Sequence, residues 1–329
     1  MNSANDHPII VLGAGMSGLA AASLLSQSGC SPLVLDKARG VGGRMSRRRT
    51  EWGPIDHGAS FFQARHPLFQ KQVDAWLQQG LVFSWSRGFS DESGHRRESG
   101  VPCYACSEGM NAVLKDLARG LDIHIRQKVQ RVCVVQDQWQ LETEGGETYR
   151  TDALLMTAPV PQSLELLNQG KVSLDDSHRS ALASIDYEPC LALMVVTSQK
   201  SPLPEDGGLW LSGEPLSWIA DQSRKTGSEN AISRLVLHAG PDFSRTHWDE
   251  DPEKVTEEIL KAADPWLAGE RLSVQYHRWR YKTPLKVFPE PCLKAHAKPA
   301  LFLAGDGFQR SGVEGAYLSG RAAAQALLS

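Results

Sequence analysis

Three glycines within six residues constrain this chain more than any other feature. In PIIVLGAGMSGLAAASLL, Gly13, Gly15 and Gly18 follow an apolar run and open a helix of small residues. Gly13 permits a tight turn, Gly15 lets backbone approach a pyrophosphate, and Gly18 lets the helix lie close on the strand. The amides and positive dipole end of that helix then face the anion. The next apolar run, PLVLD, ends in Asp36, about twenty residues on, where a carboxylate accepts hydrogen bonds from an adenosine ribose. The pattern predicts a strand over 8–12, a helix over 16–28 and a strand over 31–35, a βαβ unit opening the chain.

At 329 residues and 41% hydrophobic, the chain has material for two cores. Its net charge of −3 comes from 35 basic and 38 acidic residues, which argues against a nucleic-acid surface. Arg47, Arg48 and Arg49 form the one local basic run, either a solvated strand face or a group holding cofactor phosphates or an anionic substrate. Cys30, Cys103, Cys106, Cys133, Cys190 and Cys292 are scattered without a disulfide framework, which fits a reducing, cytoplasmic setting. Cys103 and Cys106 make a CxxC with no second ligand pair, and nothing in the His, Cys or acid spacing suggests a metal site. The apolar opening lacks a basic flank and is broken by glycines, and no other stretch approaches membrane length.

Further along, Pro67 opens a helix reaching Gln79. Residues 86–102 read as polar and turn-like, and a helix over 110–119 leads into a meander of two strands, 123–135 and 138–144. ALLMTAP, 153–159, is a short buried strand ending at Pro159 and Pro161. From about 163 to 285 strand-like runs dominate, CLALMVVTS, SWIAD and ISRLVLHAG among them, with one amphipathic helix over 252–263. ALFLAGDGF then forms a buried strand ending in Gly305 and Asp306, followed by a small-residue helix starting near Val313.

These segments predict an α/β protein: a doubly wound, Rossmann-like dinucleotide domain with a mixed-sheet α+β substrate domain inserted. The expected boundaries are 1–66, 101–162 and 293–329 for the first, 67–100 and 163–292 for the second. A long cofactor spanning both suits this layout better than NAD. Gly42, Gly43 and Arg44 offer a second backbone approach to phosphates with a guanidinium beside it. Asp306 can accept from a ribityl hydroxyl, and the last helix can aim amides at the pyrimidine end of an isoalloxazine. The cofactor expected is therefore FAD.

GxGxxG with Asp36, GVGGRM, DHGASFF, the pair Gly109 and Met110, TAPVPQ, and LFLAGD with VEGA together resemble the FAD-containing amine oxidase superfamily along essentially the whole chain. Within it, DHGASFFQAR, WIADQSRKTG and HRWRYKTP resemble the renalase-like subgroup. The resemblance implies a cofactor-binding set of Gly13, Gly15, Met16, Ser17, Gly18, Asp36, Lys37, Gly42, Gly43, Arg44, Met45, His57, Gly58, Ala59, Val129, Asp306, Gly307, Val313, Glu314 and Ala316. It also implies oxidation of the 2- and 6-dihydro isomers of NAD(P)H, with hydride passing to flavin N5 and then to O2, giving hydrogen peroxide and NAD(P)+.

Two departures from the superfamily pattern stand out. The last cysteine, Cys292, lies in PEPCLK rather than at an attachment position, so the FAD is expected to be non-covalent. Where many amine oxidases carry a cage tyrosine just before the xEGA segment, this chain has Gly312, which weakens an amine reading. On the substrate side Trp279, Arg280 and Tyr281 are the candidates: alternation puts the two aromatics on one face, able to stack on a nicotinamide, and Arg280 on the other, able to meet a phosphate. Sheet core and a surface charge are the plainer reading of the same residues. Phe61 and Phe62 carry the same ambiguity, and His57 is expected to act through cofactor packing. His238 and His277 read as core or pocket histidines. No acid–base catalyst is assigned, because a dihydropyridine donor needs alignment above all. Partners are a small molecule and O2, with no nucleic acid or membrane. The alternatives are a flavin amine oxidase, a non-catalytic FAD-binding regulator, and a polyene desaturase.

Overall fold

Strands buried on both faces organise each half of the chain. The computed structural model describes residues 5–227 and 231–329. It divides into two compact units: Met1–Gly43, Val113–Tyr187 and Thr283–Ser329 form the first, Arg44–Ala112 and Glu188–Lys282 the second. Residues 228–230, inside the expected substrate domain, and residues 1–4 lie outside the described residues.

In the first unit the strands Leu293–His296, Ala300–Leu303, Thr148–Met156, Asn5–Leu12, Pro32–Asp36 and Asp122–Ile125 stand side by side in that order. From Ala300–Leu303 onward they run parallel. Ile10, Val11, Leu33, Val34, Leu154, Leu155, Leu301 and Phe302 are each at most 1% exposed at successive positions, so both sheet faces are covered. That is why these strands read as unbroken apolar runs instead of alternating. The helices Met16–Gln27 and Gly312–Leu328 bring the two ends of the chain into this unit. Their contact is a close one: a Cβ on Gly320 would stand 2.0 Å from the Ser17 carbonyl oxygen.

The second unit holds a seven-stranded sheet, ordered Arg271–Pro284, Tyr187–Thr197, Ser233–Ala239, Leu216–Asp221, Gly208–Trp210, Val82–Asp91, Arg96–Cys106, and a two-stranded sheet, Arg47–Thr50 with Gly53–Asp56. Alternate residues of CLALMVVTS serve opposite faces. Leu191, Leu193 and Val195 pack with Val255, Ile259, Leu260 and Ala263 of the helix Pro252–Ala263, whereas Met194 and Val196 pack with Ile55, Phe89, Trp218 and Val236. That helix starts on Asp251, whose side chain accepts from the Glu253 amide at 3.0 Å, with Pro252 at its first position.

The fold class is the expected one, with local differences. Residues 86–102 are not a turn region: Val82–Asp91 and Arg96–Cys106 form an antiparallel hairpin, polar because it is exposed toward its tip. The expected strand over 123–135 breaks at Arg126, φ +62°, into Asp122–Ile125, which extends the parallel sheet, and Val129–Val135, which pairs with Gln138–Thr143. The helix expected over 110–119 is shorter, Ala112–Leu117. Two helices, Val160–Gln169 and Asp176–Ala183, stand where strands were expected to begin. The cuts between units also fall elsewhere. Residues 44–66 belong to the second unit because their small sheet and loop bond into it, and 163–187 stay with the first, where Gly170 lies against Val132.

The crossing of the two terminal helices tolerates no side chain at Gly320. We expect Gly320→Ala to lower unfolding stability by about 1–3 kcal/mol, measured as a reduced denaturant midpoint at unchanged slope. An unchanged midpoint would contradict the close packing.

Candidate active site

The first unit carries the candidate dinucleotide cradle. Gly13 has φ +117°, and a Cβ there would meet Thr157 Oγ1 at 2.6 Å; one on Gly18 would stand 1.8 Å from the Gly13 oxygen. Only glycine fits either position. Gly15 differs, since its Cβ would meet no atom within 4 Å, which leaves an open side for a ligand. Ser17, 4% exposed in the first helical turn, has a hydroxyl with no partner among the described residues. An approachable glycine, an orphan hydroxyl and a helix N-terminus fit a pyrophosphate. Gly42 donates to the Ala14 oxygen at 3.1 Å, and a Cβ on Gly43 would sit 3.4 Å from Gly15 Cα. This brings the GGR turn beside the first glycine turn.

Asp36 ends its strand half-buried, with Oδ2 accepting from the Ala14 amide at 2.6 Å and Oδ1 from the Ala38 amide at 2.7 Å. These bonds orient the carboxylate, and each oxygen retains a lone pair for a ribose hydroxyl. Lys37 is exposed beside it, and Val129 is buried at the start of its strand. At the far end of the sheet the Gly305 amide donates to Ser319 Oγ at 2.9 Å, and Asp306 is buried. Gly307 lies against the Tyr187 hydroxyl, which a Cβ would approach to 2.8 Å. The last helix begins after Ser311 with no side-chain cap, followed by half-buried Val313 and buried Glu314 and Ala316. Arg310 donates to Glu314 at 2.6 Å.

In the second unit the loop Asp56-His57-Gly58-Ala59-Ser60 is fastened at every residue. Asp56 Oδ2 accepts from Lys225 Nζ at 2.5 Å and Oδ1 from the Met110 amide at 2.9 Å; both charged side chains are at most 3% exposed. The His57 carbonyl accepts from Trp279 Nε1 at 2.9 Å and bonds His238 Nε2 at 3.2 Å. A carbonyl only accepts, so His238 carries its proton on Nε2. A Cβ on Gly58 would meet the Arg44 oxygen at 2.0 Å, the same oxygen that accepts from the Ala59 amide at 3.0 Å. Ser60 Oγ accepts from Trp218 Nε1 at 3.2 Å. Met45 is buried next to Arg44, whose Nη1 donates to the Tyr281 oxygen at 3.0 Å.

A flat aromatic face results. The His57 ring stacks on Trp279 at 5.1 Å and 28°, and His277 meets both rings edge-on. Burial lowers His57 from 6.5 to about 3, His238 to about 3 and His277 to about 4, with Arg48 pushing His57 and His277 further down and Lys282 doing so for His238. All three are neutral at pH 7. Trp279 and Tyr281 are half-buried and Arg280 is exposed, as alternation requires. The Arg280 guanidinium lies 5.5 Å over Trp248. Half-buried Phe61 packs among Trp85, Phe89, Trp210 and Trp218, and buried Phe62 among Phe69, Trp76 and Tyr104. The Asp56–Lys225 pair was not expected. Both residues stand in segments that carry the family resemblance, DHGASFF and WIADQSRKTG, but neither segment signals the pairing, since a lysine at the end of the short helix Gln222–Lys225 reads as surface.

All six cysteines are free. His247, Glu250 and Glu258 bring ligand-type atoms within 4.8 Å of one another, but Lys254 Nζ already stands 2.8 Å from Glu250 and 3.9 Å from Glu258. Among the described residues, no helix is long and apolar enough to cross a membrane.

A family model described as flavin containing amine oxidoreductase matches residues 79–328, and one for an NAD(P)-binding Rossmann-like domain matches residues 11–76. Renalase of Mus musculus is 24% identical over 325 residues, 93% of this chain and 94% of that protein. Among solved structures, putrescine oxidase bound to putrescine superposes with a TM-score of 0.73 at 13% identity, over 99% of this chain and 100% of the other. Cyclohexylamine oxidase from Brevibacterium oxydans IH-35A gives 0.74 at 13% identity, over 98% of each chain. These two share the fold.

Removing one member of the buried pair strands the other. Lys225→Met is expected to cost about 3–5 kcal/mol of unfolding stability, part of it recovered by adding Asp56→Asn; equal stability of all three proteins in urea would refute the pair's role. The histidines give a pH dependence with a definite sign. Their folded values lie below the ordinary 6.5, at about 3 to 4, so the unfolded chain takes up protons first and their contribution, complete above 6.5, is lost as pH falls toward 4. Ring NMR shifts of His57, His238 and His277 should stay flat from pH 8 to 5.5, and a midpoint above 6 in any of them would contradict the assignment.

Proposed function

The chain belongs to the family of flavin-containing amine oxidoreductases, and from that premise we propose that it is an FAD oxidase of the 2- and 6-dihydro isomers of NAD(P)H. The observation that carries this is the likeness to renalase along nearly the full length of both chains. Bound FAD would supply the redox chemistry, by which a hydride from the dihydropyridine and one proton from solvent reduce O2 to hydrogen peroxide and leave NAD(P)+.

The chain's own residues align and exclude. In this reading the first-unit turn at Gly13, Gly15 and Gly18 holds the cofactor pyrophosphate and Asp36 the adenosine ribose. No cysteine is assigned a bond to the flavin, so FAD is held by non-covalent contacts, and six free thiols suit a cytoplasmic protein. On the second unit, Trp279 and Tyr281 are the substrate-side aromatics. A dihydropyridine gives up hydride as its ring regains aromaticity, with no N–H or O–H proton to remove, so the histidines held neutral around Trp279 have no general-base duty. Their rings fix the indole, which is the positioning such a transfer requires. Gly312 in place of a cage tyrosine leaves an amine without one of its walls.

Anaerobic mixing of the yellow protein with 6-dihydroNAD, with NADH and with a panel of amines tests the reading. Flavin bleaching by the isomeric dinucleotide, faster than by NADH and absent with amines, is the expected result. Bleaching by amines alone would overturn the proposal in favour of an amine oxidase.

A further inference from the structure

The basic run Arg47-Arg48-Arg49 has no part in the reading above, yet one of its members stands next to the aromatic face. Arg48 lies opposite Ile55 in the two-stranded sheet, and His57 follows Ile55 two residues on. Strand alternation sends Arg47 and Arg49 to the other face. The neighbouring arginines are engaged: Arg47 donates to the Glu108 oxygen, Arg44 to the Tyr281 oxygen, and Arg278 and Arg280 lie over the Trp248 ring. Arg48 is exposed, and among the described residues it has no hydrogen-bond or ion-pair partner. Its charge reaches both His57 and His277 and helps keep them neutral. The nearest carboxylate of the loop, Asp56, is taken up by Lys225.

We propose that Arg48 is an anion subsite for the pyrophosphate of a dinucleotide substrate whose ring stacks by Trp279. This rests on the proposed dihydronicotinamide oxidation and deepens it by naming how the charged half of that substrate is recognised. A guanidinium with no side-chain partner, on the strand face that leads to His57, whose neutral ring stacks on the Trp279 indole, matches a ligand that is planar at one end and doubly anionic next to it. The same charge repels an amine, which arrives as a cation.

Calorimetric titration of NAD+ into the FAD-loaded protein tests the subsite through its product, without turnover. Arg48→Gln is expected to weaken NAD+ binding about tenfold at low salt, with Arg48→Lys recovering part. Nicotinamide riboside, which has the ring and no pyrophosphate, should bind wild type and variant alike. Equal NAD+ affinity in wild type and Arg48→Gln, an equal loss for the riboside, or no NAD+ binding by wild type would each overturn the proposal. Loss of FAD from Arg48→Gln with NAD+ affinity unchanged would also overturn it, and would assign the arginine to the cofactor's phosphates. Arg48-dependent NAD+ binding in a protein that 6-dihydroNAD fails to bleach would sink the oxidase reading and leave the subsite standing.

Discussion

The carbonyl of His57 accepts from the Trp279 indole and the His238 imidazole, and the second unit's site is built around that oxygen. Both of its lone pairs are used, so the loop 56–60 has one place to sit on the sheet. Two consequences follow from the same pair of bonds. The indole is held at the distance where it stacks on the His57 ring. His238, obliged to donate, carries its proton on Nε2, and burial keeps the ring neutral. With Asp56 locked to Lys225 on one side and Ser60 to Trp218 on the other, the loop is held from below by charge and from the flank by aromatic N–H groups. A buried ion pair contributes less net stability than its separation suggests, because both partners are desolvated. What it does here is make one loop conformation far better than its neighbours.

Legibility in the sequence followed the nature of the constraint. Where backbone must approach backbone or ligand, only glycine serves, and Gly13 and Gly18 are readable in the string itself; the Cβ distances explain why. Asp36 is readable because strand ends carry fixed positions, and the helix Pro252–Ala263 because proline and an aspartate cap both mark its start. The hairpin Val82–Asp91 with Arg96–Cys106 was hidden because an exposed edge hairpin has the composition of a loop. Lys225 was hidden for a deeper reason. A lysine is buried only when a carboxylate distant in sequence is brought to it, and its partner Asp56 is 169 residues away. Arg48 was readable as a charge but not as an unpartnered one, since partnership is a property of the fold.

What a neutral, positively flanked aromatic face can bind bears on the proposed substrate. An amine is a cation at neutral pH, so the sign of the charge around the face it meets bears on its binding. Burial lowers all three histidines, Arg48 lowers His57 and His277 further, and Lys282 does so for His238, where the bond to the His57 carbonyl opposes it. Acid near these rings would have pulled them the other way. A face of this sign disfavours a cationic amine, and it suits the proposed substrate, a flat ring joined to phosphates. In the proposed oxidation of a dihydronicotinamide dinucleotide, the same surroundings would serve twice: Arg48 would meet the phosphates, while burial first, and the nearby cations second, keep the imidazoles from holding a proton.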